Sequence, residues 1–164
     1  GRALSLLRDA GWGKLVATGK YETKHFTTEL VNACVEMLAK WSPDPAPKWV
    51  TCIPSHNDPD LVPGFAQQLA AALNLKFVPC IKKIRANEPQ KVMENSFQQV
   101  KNLDGVFNVK LEPRIKPRAY APCLLVDDLV GSRWTFTVAA ALLRQAGCRA
   151  VYPLALALHS PQAD

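Results

Sequence analysis

The chain has 164 residues, 48% of them hydrophobic, and a net charge of +6. That is enough apolar material for one buried core, so a single domain over residues 1–164 is the expectation. No stretch is long and apolar enough to span a membrane. The opening Gly1-Arg2-Ala3-Leu4 does not read as a signal peptide, and without an initiator Met it suggests a domain excised from a longer protein.

The first periodic segment places Leu30, Ala33, Cys34, Met37, Leu38 and Trp41 on one helical face, with Thr27 or Thr28 as cap. The proline-rich run 42–47 ends it. Residues 49–53 read as a strand stopped by Pro54, and a second helix follows Pro63 with Val62, Phe65, Ala66, Leu69, Ala70 and Leu73 in register. A short strand is expected over 76–80. Next comes a basic stretch, 81–118, with a weak helical pattern at Met93, Phe97 and Val100 and a strand-like run at 106–109. It reads as an excursion from the sheet. Residues 123–127 form a near-continuous apolar run, as a buried parallel strand does. A helix carrying Thr135, Ala139, Leu142, Leu143 and Ala146 then stops at Gly147, and 150–157 closes the sheet. Strands alternating with helices predict an α/β fold, an open and mostly parallel sheet flanked by helices.

Two composition features bear on partners. The five cysteines (Cys34, Cys52, Cys80, Cys123, Cys148) lack the paired spacing of a zinc site. They read as buried thiols of a protein in a reducing cytoplasm, with no zinc. Between residues 76 and 118 there are ten basic and four acidic residues, so this segment holds the entire positive excess. Such a segment suits an anionic partner or a solvated basic surface.

The most informative stretch is Leu124-Leu125-Val126-Asp127-Asp128, followed by Leu129-Val130-Gly131-Ser132-Arg133-Trp134-Thr135 and a helix. A buried strand brings two adjacent carboxylates to its C-terminal end, where open α/β sheets bind ligands. The helix start adds unpaired N–H groups and positive dipole character, which suit an anion. Adjacent carboxylates beside an anion need hydroxyl or metal partners, and a sugar phosphate with Mg²⁺ supplies both. Alternatively, one Asp caps the loop or helix and the other is solvated.

Val126-Asp127-Asp128-Leu129-Val130 and its loop resemble the phosphoribosyl pyrophosphate (PRPP) motif of type I phosphoribosyltransferases. Gly19-Lys20-Tyr21, Ile53-Pro54-Ser55, Gly64-Phe65-Ala66-Gln67, Pro89-Gln90 and Asn102-Leu103-Asp104-Gly105-Val106-Phe107 are similar to the ComF branch, without its zinc finger. The wording around 49–55, 90–96 and 128–135 most resembles the ComF-like domain attached to bacterial RecQ-type DNA helicases. Together these motifs are specific, although each alone is weak.

The resemblance implies that Asp127 and Asp128 meet ribose hydroxyls and Mg²⁺. It further implies that Gly131, Ser132, Arg133, Trp134 and Thr135 form the ribose-phosphate loop, with Ser132 and Thr135 on the 5′-phosphate. Pro54, Ser55 and His56 then occupy the pyrophosphate-side loop, where ComF relatives often carry arginines and this chain has Asp58 and Asp60. Lys82, Lys83, Arg85 and Lys91 fall in the family's hood or lid, or alternatively track a nucleic-acid backbone. The family usually has a hydroxyl residue where Gly131 stands and glycine where Arg133 stands. Arg133 gives up the conformational freedom of glycine but brings a guanidinium suited to phosphate, so it either tightens the anion site or fills it. His25 and His159 lie near neither motif. The functional expectation is a PRPP- or nucleotide-binding accessory domain, covalently linked to helicase domains and acting as sensor or adaptor in DNA processing. The alternatives are a working Mg²⁺-dependent transferase for an unknown base, and a DNA- or protein-binding module that keeps only the fold.

Overall fold

A computed structural model describes residues 1–85, 105–111 and 120–159. In chain order the elements are β1 (Arg2–Leu6), α1 (Trp12–Thr18), a π-helical turn (Gly19–Thr23), α2 (Thr28–Trp41), β2 (Trp49–Cys52) and α3 (Leu61–Ala72). They continue as β3 (Lys76–Phe77), β4 (Ile81–Lys83), β5 (Phe107–Val109), β6 (Cys123–Val130), α4 (Trp134–Gln145) and β7 (Val151–Leu158). Five strands make one sheet in the order β1-β7-β6-β2-β3, and every pairing in it is parallel. β4 and β5 form a separate antiparallel pair.

The alternation of side chains along the central strands builds two core layers. On β6, Leu124 and Val126 face α1, α2 and α3, together with Val50 and Cys52 of β2 and Leu154 and Leu156 of β7. Cys123 and Leu125 face the other way, toward Trp49, Ala155 and the α4 side chains Phe136, Ala139 and Leu143. Each fully buried leucine here contributes about 1.5–3 kcal/mol relative to an exposed one. The β4–β5 pair packs on the α4 side through Ile81 and Phe107.

Several boundaries differ from the sequence expectation. α3 starts at Leu61, two residues before Pro63, because a proline in the first helical turn forfeits no intrahelical bond. The 76–80 run does not stay in one sheet. Lys76 and Phe77 pair with β2, and the chain then leaves, so that Ile81–Lys83 pairs with β5 instead. β6 runs on through Val130 along β7. Trp49 is fully buried, and Trp41 packs edge-on to Tyr152 at 5.7 Å, whereas Trp12 is 41% exposed. The five cysteines are free and buried. Among the described residues, no helix is long and apolar enough to cross a membrane. The 93–100 helical pattern and Lys91 lie outside the described residues.

Candidate functional site

The site arises where the sheet divides. β2 pairs with β6 from Cys123 to Val126, and Ile53 N–H closes that ladder on the Val126 carbonyl at 2.9 Å. Past Val126, among the described residues, β6 keeps only β7 as neighbour. From β2 the chain crosses over α3 to β3, and from β6 over α4 to β7, on opposite sheet faces. The strands therefore part at a topological switch point, where open α/β sheets place their ligands. Asp127 and Asp128 are the first two residues beyond the split.

A cleft of about 310 Å³ opens there, lined by Lys20, Ile53, Pro54, Ser55, Asp58, Val62, Lys83, Phe107, Asp127, Asp128 and Thr135. It joins the acidic pair, the loop after β2, one hairpin lysine and the start of α4 in one concavity.

The two carboxylates have unlike surroundings. Asp128 is 6% exposed and accepts a hydrogen bond from the Lys20 ammonium. Asp127 Oδ1 accepts the Asp128 N–H at 2.8 Å. Burial and then the adjacent Asp128 charge push the Asp127 carboxyl well above the usual carboxylate range, while that N–H and Lys20 pull the other way. Beneath the pair, the Cys52 thiol is pushed up to about 12, by burial first and then by the Asp127 charge. It is a packing group, not a nucleophile.

Lys20 was noted in the sequence only within a similar motif, and Lys24 not at all. Both come from the turn after α1. Gly19 permits that turn, since a Cβ there would stand 2.7 Å from the Phe26 ring and 2.8 Å from the His25 carbonyl oxygen. Phe26 is itself buried, edge-on to Phe65 at 5.8 Å. Lys20 thereby reaches Asp128, and Lys24, four residues on, pairs with Asp58 at 3.0 Å. The Asp58 carboxylate on the cleft wall therefore has a cation beside it. No helical pattern marks this turn in the sequence.

The remaining expected residues divide. Pro54, Ser55 and Thr135 line the cleft, whereas exposed His56 does not. Strand alternation directs Lys83 to the cleft and leaves Lys82 exposed. Burial lowers the Lys83 pKa from the ordinary lysine value. Arg85 is exposed beyond the end of β4. Gly131 and Ser132 are exposed in the loop, and a Cβ on Gly131 would meet open space, so the family's hydroxyl residue would fit. Trp134 packs against the α4-side core. His25 and His159 are exposed.

Arg133 takes φ +69° as the residue preceding α4, the left-handed conformation that glycine would adopt without strain. It does not line the cleft. It borders a second hollow of about 650 Å³ with Arg2, Phe136, Pro153 and Leu158, and its charge is felt at the Gly1 amino group. Of the two sequence alternatives, tightening or filling the cleft, its side chain takes neither.

Among the described residues, no cluster of three or more His, Cys, Asp or Glu can hold a metal. The adjacent carboxylates suit Mg²⁺ in its usual ligand-assisted mode, one or two carboxylates completed by water and substrate phosphate. The raised Asp127 pKa marks a charge that a cation would favour.

This parallel sheet, with helices on both faces and a cleft at the acidic switch point, is the fold of the type I phosphoribosyltransferases. The adenine phosphoribosyltransferase of Leishmania tarentolae is similar over 96% of this chain and 92% of its own, at 15% identity and a TM-score of 0.50. That of Saccharomyces cerevisiae, crystallised with adenine and an imino-altritol bisphosphate, aligns with 79% of this chain and 68% of its own, at 18% identity and a TM-score of 0.48. No family model and no curated protein matches the chain.

Proposed function

We propose that the cleft binds a 5′-phosphorylated ribose ligand, PRPP or a nucleotide, together with Mg²⁺. One observation carries this reading: Asp127, Asp128, Ser55, Thr135 and two lysines converge on a single cleft at the switch point of this fold. The carboxylates suit ribose hydroxyls and the metal. The Thr135 hydroxyl and the N–H groups opening α4 suit the phosphate. When bound, Mg²⁺ offsets charge on the phosphates. Lys20, Lys83 and Ser55 are the chain's own groups for the anionic end of the ligand. In keeping with the sequence likeness, the domain is an accessory to a RecQ-type DNA helicase in the cytoplasm, where it senses a ligand or acts as an adaptor.

Calorimetric titration with PRPP, ribose 5-phosphate and nucleoside monophosphates, each with Mg²⁺, tests the reading. Heat is expected with at least one of them, and Asp128→Asn should weaken that binding by at least about tenfold, ~1.4 kcal/mol. No heat with any, or equal binding by the variant, would overturn it. The placement of Arg133 away from the cleft favours a second reading, a working transferase. Pyrophosphate release from PRPP with some nucleobase, abolished in Asp127→Asn, distinguishes it.

A further inference from the structure

The cleft already holds a cation. The Lys20 ammonium donates to the Asp128 carboxylate, with side chains 23% and 9% exposed. The turn that carries it is packed: a Cβ on Gly19 would stand 2.7 Å from the Phe26 ring, Phe26 meets Phe65 edge-on, and Lys24 pairs with Asp58. A pair this buried is screened less than one on the surface.

We propose that Lys20 is the resident counter-cation of the acidic pair and controls metal entry. A divalent cation alone must displace the ammonium from Asp128 or share the carboxylate with it at like-charge cost. The inference deepens the metal part of the phosphoribosyl reading and rests on it, but concerns the protein and the metal alone. A purely structural ion pair would stabilise the fold without affecting metal binding.

The test measures Mn²⁺ binding to the full chain, by calorimetry and by the paramagnetic signal of the free ion, with no phosphate present. Wild type should bind weakly. Lys20→Met should bind at least about tenfold more tightly, and Lys20→Arg, which keeps the charge, should stay near wild type. Equal affinity in wild type and Lys20→Met, including no binding by either, would overturn the proposal. If Lys20→Met folds poorly, Lys20→Gln takes its place, read by the rise in melting temperature on adding Mn²⁺. That rise should exceed the wild-type rise, and an equal rise would overturn the proposal. PRPP enters no arm of this experiment, so failure here and failure of the phosphoribosyl reading remain distinguishable.

Discussion

Asp127 and Asp128 show how far adjacent identical residues can diverge once folded. Asp128 has the Lys20 ammonium, whereas Asp127 is held in a desolvated setting beside a like charge, and its pKa rises. For a carboxyl whose folded pKa lies above the unfolded value of about 3.9, the folded state holds more protons between the two values. Stability from this group is therefore fully present below the unfolded pKa and falls as pH rises through the folded one. Asp127→Asn removes the titration and keeps an acceptor for the Asp128 N–H. Urea melts of both proteins from about pH 4 to pH 8 should show wild type losing stability relative to the variant as pH rises. A pH-independent difference would contradict the assignment. The acidic pair itself was legible, since adjacent acids after a buried apolar run carry a plain signal. Its lysine partner was not, because Lys20 lies 108 positions away and only the fold brings it near.

At the scale of elements, legibility followed the strength of the periodicity. α2 was clear because its apolar residues recur at helical spacing over three turns, and β6 because four consecutive residues are fully buried. β1, α1 and the π-helical turn had no readable pattern. The split of 76–83 between two sheets is a pairing choice that local propensity does not encode. The start of α4 is the informative case, because position 133 has the backbone conformation that glycine favours although arginine supplies it. Left-handed φ costs a non-glycine residue about 1–2 kcal/mol, and glycine returns about 0.5–1 kcal/mol of that through the freer unfolded chain. Arg133→Gly should therefore stabilise the protein by about 0.5–1 kcal/mol, a rise in melting temperature of roughly 1–4 °C. Arg133→Ala makes the same truncation without relieving φ and should give no such gain in thermal melts. If the two variants melt together, strain at the α4 start is not what distinguishes them.

At the scale of the described residues, the main sheet has a core layer on each face, and the cleft sits where β6, a strand that feeds both layers, loses one neighbour. β6 gives Leu124 and Val126 to one layer and Cys123 and Leu125 to the other, and its next two residues are the acidic pair. The lining residues come from the turn after α1, the loop after β2, α3, the β4–β5 pair, β6 and α4. A ligand spanning them ties both layers together and binds only when the sheet is intact, so occupancy should stabilise the entire domain and not one loop. At a concentration about a hundredfold above its Kd, a ligand specific to the folded state adds about 2.7 kcal/mol. For a domain of this size that is a rise in melting temperature of roughly 5–10 °C. PRPP with Mg²⁺ should produce this shift in a single cooperative transition, seen alike by far-ultraviolet circular dichroism and by tryptophan fluorescence. Asp128→Asn should lose most of it under the same conditions. A shift confined to the fluorescence signal would mean that the ligand orders only the cleft's rim, and would contradict a site built across both layers of the fold.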